Sequence, residues 1–282
     1  MRWLVAGAMG MLGTDVVQRL DGAHEVRALG RAELDITDPE SVAAVVHDVD
    51  VVVNCAAWTA VDAAETEESA AFALNAVGPQ LLARAAAAAG ARMVQVSTDY
   101  VFDGSATSPY REDAPLSPAS AYGRTKGAGE WAVRAESDDH LIVRTAWLYG
   151  AHGGCFPKTM ARLAGEREEL LVVVDQVGQP TWTADVADLI VRLVEATAPS
   201  GTYHATSAGE VSWHGFTRAI VSTLGKDPGM VKETTSEAFV RPAPRPAYSV
   251  LGHEALERAG VRPIGNWRER WHAAAPSVLD LG

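Results

Sequence analysis

The chain has 282 residues, a formal charge of −12 and a pI near 5.1. Nucleic acid needs a basic face, so this balance argues against it as a partner and leaves room only for anions small enough to sit in a local positive pocket. With 48% hydrophobic and 21% charged residues, the composition is that of a globular protein with one large domain, or a main domain and a smaller companion.

Taken in chain order, RWLVA (2–6) reads as a buried strand. Residues 11–20 follow as a helix with Leu12, Val16, Val17 and Leu20 on one face. EVRAL (25–29) is a second strand, and Asp38-Pro39 opens a helix as N-cap and first helical residue. DVVVN (50–54) is a third strand. Residues 67–89 form a long Ala-rich helix stopped by Gly90, and RMVQVS (92–97) is a fourth strand. A helix over about 120–136 and a fifth strand, LIVRT (141–145), complete the alternation. Parallel neighbours cannot be joined by a tight hairpin, and near-continuous apolar strands belong to a sheet covered on both faces. The fold class predicted is therefore α/β, a Rossmann-type doubly wound parallel sheet with a smaller C-terminal substrate-binding lobe.

Residues 1–150 are expected to form the NAD(P)-binding domain, with 170–203 returning to it. That return comprises a strand in LLVVVD (170–175) and an amphipathic helix over 184–196. Residues 151–169 and 204–282 are expected to form the lobe, in which the Pro-rich RPAPRPAYS (241–249) reads as an ordered loop. Cys55 and Cys155 lack metal-ligand spacing and are expected to be reduced thiols. The N-terminal apolar run is broken by three glycines and ends at Asp15 without a cleavage site. No stretch approaches the roughly 20 apolar residues of a membrane span. A cytoplasmic protein without a membrane partner is predicted.

Gly7-Ala-Met-Gly10-Met11-Leu12-Gly13 lies between the first strand and the first helix. A pyrophosphate needs glycines there for a tight turn and close backbone approach, and the free N–H groups at the helix start favour its charge. At the end of the second strand an acid holds a ribose 2′-hydroxyl, whereas an Arg accommodates a 2′-phosphate. Arg31 stands at that point, with Glu33 as the nearest acid, so NADPH is favoured and NADH left possible.

Tyr122-Gly-Arg-Thr-Lys126 places a phenol and an ammonium on one helical face. A nearby cation brings the tyrosine proton within reach of a ketone oxygen. The fourth strand ends in Ser97-Thr98-Asp99-Tyr100. Ligands of open α/β sheets bind at such carboxyl ends, so Ser97 or Thr98 is expected to bond the ketone oxygen.

These segments resemble the extended short-chain dehydrogenase/reductases, and among them the dTDP-4-dehydrorhamnose reductase family. The resemblance runs through VAGAMGMLG (5–13), LDITD (34–38), NCAAWTAVDAAE (54–65), LNAVGP (74–79), VSTDYVFDG (96–104), AYGRTKGAGE (121–130), RTAWLYG (144–150), DQVGQPTWTADVAD (175–188) and GTYHATSAGEVSWHGF (201–216). It implies reduction of the C4 ketone of a dTDP-4-dehydro sugar, with Thr98, Tyr122 and Lys126 as the catalytic set and Tyr122 as general acid. It further implies that Lys126 holds the nicotinamide ribose and that Ala57, Trp58 and Thr59 run alongside the cofactor. Asp35 and Ile36 would flank the adenine, and Asp99 and Trp147 would lie around the sugar nucleotide. Arg241 or Arg245 would meet its diphosphate. The family's Arg-Pro loop normally continues to Asn-Ser, but here Arg245-Pro246 is followed by Ala-Tyr-Ser249, which leaves the particular keto sugar open.

Other readings fare worse. No Asp-Glu pair follows Thr98, as a dehydratase of the superfamily would have, and a non-catalytic relative would lack Tyr122 or Lys126. No G-x-S-x-G elbow marks a hydrolase. The eight histidines form no metal-ligand pattern, so no metal is expected, and His204 and His214 are expected to be structural. Trp131 and Trp271 are expected in the core or an interface. A homodimer is possible by analogy of fold alone.

Overall fold

The structure, a computed structural model, describes residues 1–281. Five of its strands are the expected ones: β1 (Arg2–Ala6), β2 (Glu25–Leu29), β3 (Val51–Asn54), β4 (Arg92–Thr98) and β5 (His140–Thr145). A sixth, Gly201–His204, joins the far edge. All pair in parallel, in the order sixth strand, β5, β4, β3, β1, β2. The order reverses between β1 and β3, and the crevice at such a switch point is where ligands of doubly wound sheets bind.

Alternation along the strands sends side chains to two separate cores. Trp3, Val5, Val51, Val53, Val94, Leu141 and Val143 pack under the helices Met11–Leu20 and Thr183–Glu195. Leu4, Ala6, Val52, Met93 and Ile142 pack on the other face with Leu82, Ala83 and Ala86 of the helix Gly78–Ala88 and Val133 of the helix Ala121–Glu136. Local chemistry starts and stops these helices as expected. Asp38 caps Pro39–Val45 by accepting the Glu40 N–H at 3.0 Å, and Gly90 ends the Ala-rich helix at φ +68°. That helix carries a π-helical turn, Ala73–Val77, which the sequence pattern does not announce.

The boundary with the lobe differs from expectation. Leu170–Val173 does not return to the main sheet but pairs in parallel with Val231–Thr234, outside it. The return begins at Thr183, and the strand Gly201–His204 lies mostly before the expected lobe boundary. Leu256, Val261 and Ile264 pack into the main core, so the C-terminal segment is shared between both bodies. The lobe's own core gathers Phe216, Ile220, Trp267 and Trp271 around Tyr149. Trp271 is core, one of the two places expected for it, and Trp131 is 65% exposed on the outside of its helix. Among the described residues no helix is long and apolar enough to cross a membrane.

Candidate active site

The glycine turn closes over the switch point. Gly7 adopts φ +74°, and a Cβ on it would lie 2.6 Å from the Ala56 nitrogen; one on Gly13 would lie 2.2 Å from the Gly7 oxygen. Only glycine permits either approach. Gly10 stands at the N-cap of the helix Met11–Leu20 without a side-chain cap, so the N–H groups of Met11, Leu12 and Gly13 face the turn with no intrahelical acceptor. This is a cradle for a pyrophosphate, and the residues present fit a dinucleotide.

At the end of β2, Glu33, the nearest acid, is exposed and its Oε2 accepts the Gly30 N–H at 2.9 Å. Arg31 is exposed and forms no ion pair among the described residues. This arrangement suits a 2′-phosphate better than a bare ribose. The Asp35 carboxylate accepts the Thr37 hydroxyl at 2.7 Å and its N–H at 2.9 Å, which hold it below the usual aspartate range. Ile36 is buried against Gly78, with no room for a Cβ between them.

Ala57, Trp58 and Thr59 follow β3 beside the glycine turn, held there by a residue the sequence reading missed. Buried Asn75 accepts the Trp58 N–H at 2.8 Å and donates to the Trp58 carbonyl at 3.1 Å and to Thr125 Oγ1 at 3.0 Å. It thereby ties this loop to the helix Ala121–Glu136. The signal was present in LNAVGP, since an Asn at an otherwise apolar helical position needs partners.

The helix Ala121–Glu136 begins where Ser120 Oγ accepts the Gly123 N–H at 3.1 Å, and Glu65 accepts the Ala121 N–H at 2.8 Å. Its first turn presses against the end of β4: a Cβ on Gly123 would lie 2.1 Å from the Tyr100 oxygen. Tyr122 is buried among Ala64, Ala71, Trp58 and Tyr100, its ring 5.6 Å from that of Tyr100. Burial raises the Tyr122 hydroxyl above its ordinary value, and Thr98, beside it, opposes the rise. The phenol is thus protonated at neutral pH and able to give a proton to an oxygen that gains charge.

Lys126 is buried and donates from Nζ to the Val96 carbonyl at 2.7 Å. Burial lowers its ammonium to about 8, against the opposing pull of Glu130 and Cys55. It remains predominantly charged at neutral pH, but no direct bond to Tyr122 is formed. The expected lowering of the Tyr122 hydroxyl by Lys126 is therefore replaced by one from Thr98. Cys55 is a free thiol raised to about 12 by burial, and it is inert as a nucleophile.

Ser97 and Thr98 have different neighbours. Ser97 Oγ donates to Glu130 Oε1 at 2.6 Å and belongs to a buried network. In it Arg144 grips Glu130 with two bonds of 2.8 Å, from Nε and from a terminal nitrogen, and also reaches the Glu112 carbonyl and His204. Burial would raise the Glu130 carboxyl, but Arg144, Ser97 and Arg134 more than reverse it. Thr98 faces Tyr122 instead, its hydroxyl donating to Asp99 Oδ1 at 2.9 Å. His204 and His214 bond the Gly252 and Val231 carbonyls as structural residues.

Two residues expected on the substrate side have partners within the chain. Trp147, at φ +47°, is stacked on Trp213 with centroids 3.5 Å apart and 5° between planes, and the Gly178 backbone closes on its indole. Its ring is held by that stack, and the residue stays partly exposed. Arg245 is paired with Asp62 at 2.9 Å, and Asp62 also accepts the Ala243 N–H. The Arg-Pro loop is thereby tied down beside the loop at 57–59. Among the described residues no three His, Cys, Asp or Glu side chains gather to hold a metal.

A doubly wound sheet with a dinucleotide cradle at its switch point, and a Thr, Tyr and Lys set at the end of β4, defines the extended short-chain dehydrogenase/reductase class. Within that class the chain belongs to the family described as RmlD substrate binding domain, which matches residues 1–278. It is 51% identical to the dTDP-4-dehydrorhamnose reductase of Streptomyces griseus, over 98% of this chain and 94% of that protein. It is 50% identical to the dTDP-4-keto-6-deoxy-D-glucose reductase of Streptomyces niveus, over 98% and 96%. A solved dTDP-4-dehydrorhamnose reductase from Bacillus anthracis, in complex with NADP, superposes with a TM-score of 0.94 at 37% identity, covering 97% of this chain and 98% of that one.

Proposed function

We propose that this chain reduces the C4 ketone of dTDP-4-dehydro-L-rhamnose to the alcohol of dTDP-L-rhamnose, using NADPH. One observation carries the assignment: the Thr98 and Tyr122 hydroxyls lie side by side at the carboxyl end of β4, with the buried Lys126 ammonium on the Val96 carbonyl of the same strand, in a chain aligned end to end with named 4-ketoreductases.

Gly7, Gly10, Met11, Leu12 and Gly13 would hold the pyrophosphate, with Arg31 at the 2′-phosphate, Asp35 and Ile36 by the adenine, and Ala57, Trp58 and Thr59 along the remainder. When bound, the cofactor supplies a hydride. Tyr122 delivers its proton to the ketone oxygen as charge develops there, and Thr98 orients that oxygen. Lys126 keeps two N–H donors beyond its bond to Val96, enough to hold a ribose hydroxyl. Asp99 lines the sugar side.

A second reading, reduction of a different dTDP-4-keto-6-deoxy sugar, is favoured by the 50% identity to the Streptomyces niveus enzyme and by the altered Arg245-Pro246-Ala-Tyr-Ser249 loop. NADPH carrying deuterium on its transferable position distinguishes ketoreduction from other chemistry. The product is expected to carry the label on C4 of the sugar, and a product labelled at any other carbon would remove the assignment.

A further inference from the structure

The Arg-Pro loop lies against the segment that follows β4. A Cβ on Gly104 would stand 2.6 Å from the Pro246 Cα, and the Tyr248 N–H donates to the Gly104 carbonyl at 3.0 Å. The Arg245 charge reaches Tyr100, whose ring lies edge-on to that of Tyr122. One carboxylate holds residues 241–245 there. Asp62 Oδ2 is 2.9 Å from an Arg245 terminal nitrogen and 4.0 Å from one of Arg241, and Oδ1 accepts the Ala243 N–H at 3.2 Å. Ala243 is buried, so its N–H needs that acceptor. Among the described residues, 241–245 make no hydrogen bond or ion pair outside the loop except with Asp62.

Asp62 sits on a turn of chain that other parts of the site also use. It belongs to the short helix Val61–Ala64, directly after the loop at 57–59. Glu65, at the end of that turn, accepts the Ala121 N–H at 2.8 Å, where the helix of Tyr122 and Lys126 begins. The turn therefore meets the loop expected beside the cofactor, the helix of the acid and the Arg-Pro loop. The paired side chains of Arg245 and Asp62 are 22% and 32% exposed. An ion pair so open to water adds little to overall stability, and its effect is local. It fixes a long, flexible guanidinium in one orientation, with a second hold where Arg245 donates to the Ala243 carbonyl at 3.3 Å. Of the five N–H donors of a guanidinium, two are taken in this way and the rest can meet an anion.

Resting on the reductase reading above, we propose that Asp62 is a positioning residue for the sugar nucleotide. It acts through Arg245, holding the guanidinium and the Arg-Pro loop in the arrangement that receives a nucleoside diphosphate, and it touches neither the substrate nor the reacting atoms. A chain with a formal charge of −12 must gather positive charge locally to accept a diphosphate. A cation on a flexible stem that is not already set in place must be ordered at the moment of binding, which weakens the complex.

The test compares Asp62→Asn with the parent by steady-state rates with NADPH and dTDP-4-dehydro-L-rhamnose, and by calorimetric titration with dTDP in the presence of NADP+. The Asn keeps an oxygen for the Ala243 N–H but turns an NH2 group toward Arg245. KM for the sugar nucleotide and Kd for dTDP are expected to rise about tenfold, the size of one lost charge-assisted bond. The kcat should stay within about threefold of the parent's, with NADPH affinity and Tm close to unchanged. In an Arg245→Ala background the same substitution should change KM by less than about twofold, because the group it acts through is gone. Unchanged KM and dTDP affinity in Asp62→Asn would overturn the proposal and leave the reductase reading standing. So would Arg245→Ala at the parent's KM, or a second tenfold loss when Asp62→Asn is added to it. A matching fall in NADPH affinity and Tm would show a merely structural role and overturn it as well. A parent that neither binds dTDP nor reduces a dTDP-4-keto sugar would instead remove the reductase reading, and this proposal with it.

Discussion

Replacing Tyr122 with Phe is expected to lower kcat by about two orders of magnitude or more while NADPH binds as before. The substitution removes one hydroxyl from a ring held by Ala64, Ala71, Trp58 and Tyr100, so the packing around it stays filled. The cradle at Gly7 and Gly13, on another part of the sheet, is untouched. The phenol sits where burial keeps it protonated and where its nearest polar neighbour is the Thr98 hydroxyl. Deleting it leaves the developing alkoxide with no acid beside it. Steady-state rates together with NADPH fluorescence titration check both halves. Turnover close to the parent's would show that another group supplies the proton.

The largest expected effect on stability lies one layer beneath the site. Arg144 and Glu130 are 1% and 0% exposed, bonded through both carboxylate oxygens, with Ser97 and Arg134 completing the set. Arg144→Met leaves the Glu130 charge buried without its main partner, which costs about 3–5 kcal/mol. For a chain of this size that corresponds to a fall in Tm of roughly 10 °C. The double variant Arg144→Met with Glu130→Leu, which removes the stranded charge, should recover much of the loss. Thermal unfolding followed by circular dichroism measures both. Equal destabilisation of the single and double variants would mean that packing rather than charge holds β4, β5 and the helix Ala121–Glu136 together.

Why some of this was legible in the residues and some was not has a physical basis. β1 to β5 are apolar runs with turn chemistry at each end, and a sheet covered on both faces leaves that mark whatever its strand order. LLVVV carries the same mark yet pairs with Val231–Thr234, because which strand it joins depends on a partner some sixty residues away. The strand Gly201–His204 is too short and too polar to read at all. Tyr122 and Lys126 were legible because helical spacing alone brings them to one face. The split between Ser97 and Thr98 was not, since adjacent residues of a strand point to opposite faces and only Glu130, from another element, shows which face is taken. The partners of Trp147 and Arg245, Trp213 and Asp62, are not legible for the same reason: they are distant in sequence.

The most direct measurement is the initial rate of nicotinamide oxidation with dTDP-4-dehydro-L-rhamnose, NADPH and NADH side by side. The arrangement of Thr98, Tyr122, Lys126 and Arg31 predicts rapid oxidation, faster with NADPH at subsaturating cofactor, and dTDP-L-rhamnose as the product. Tight NADPH binding with no oxidation of either cofactor by this substrate would contradict it.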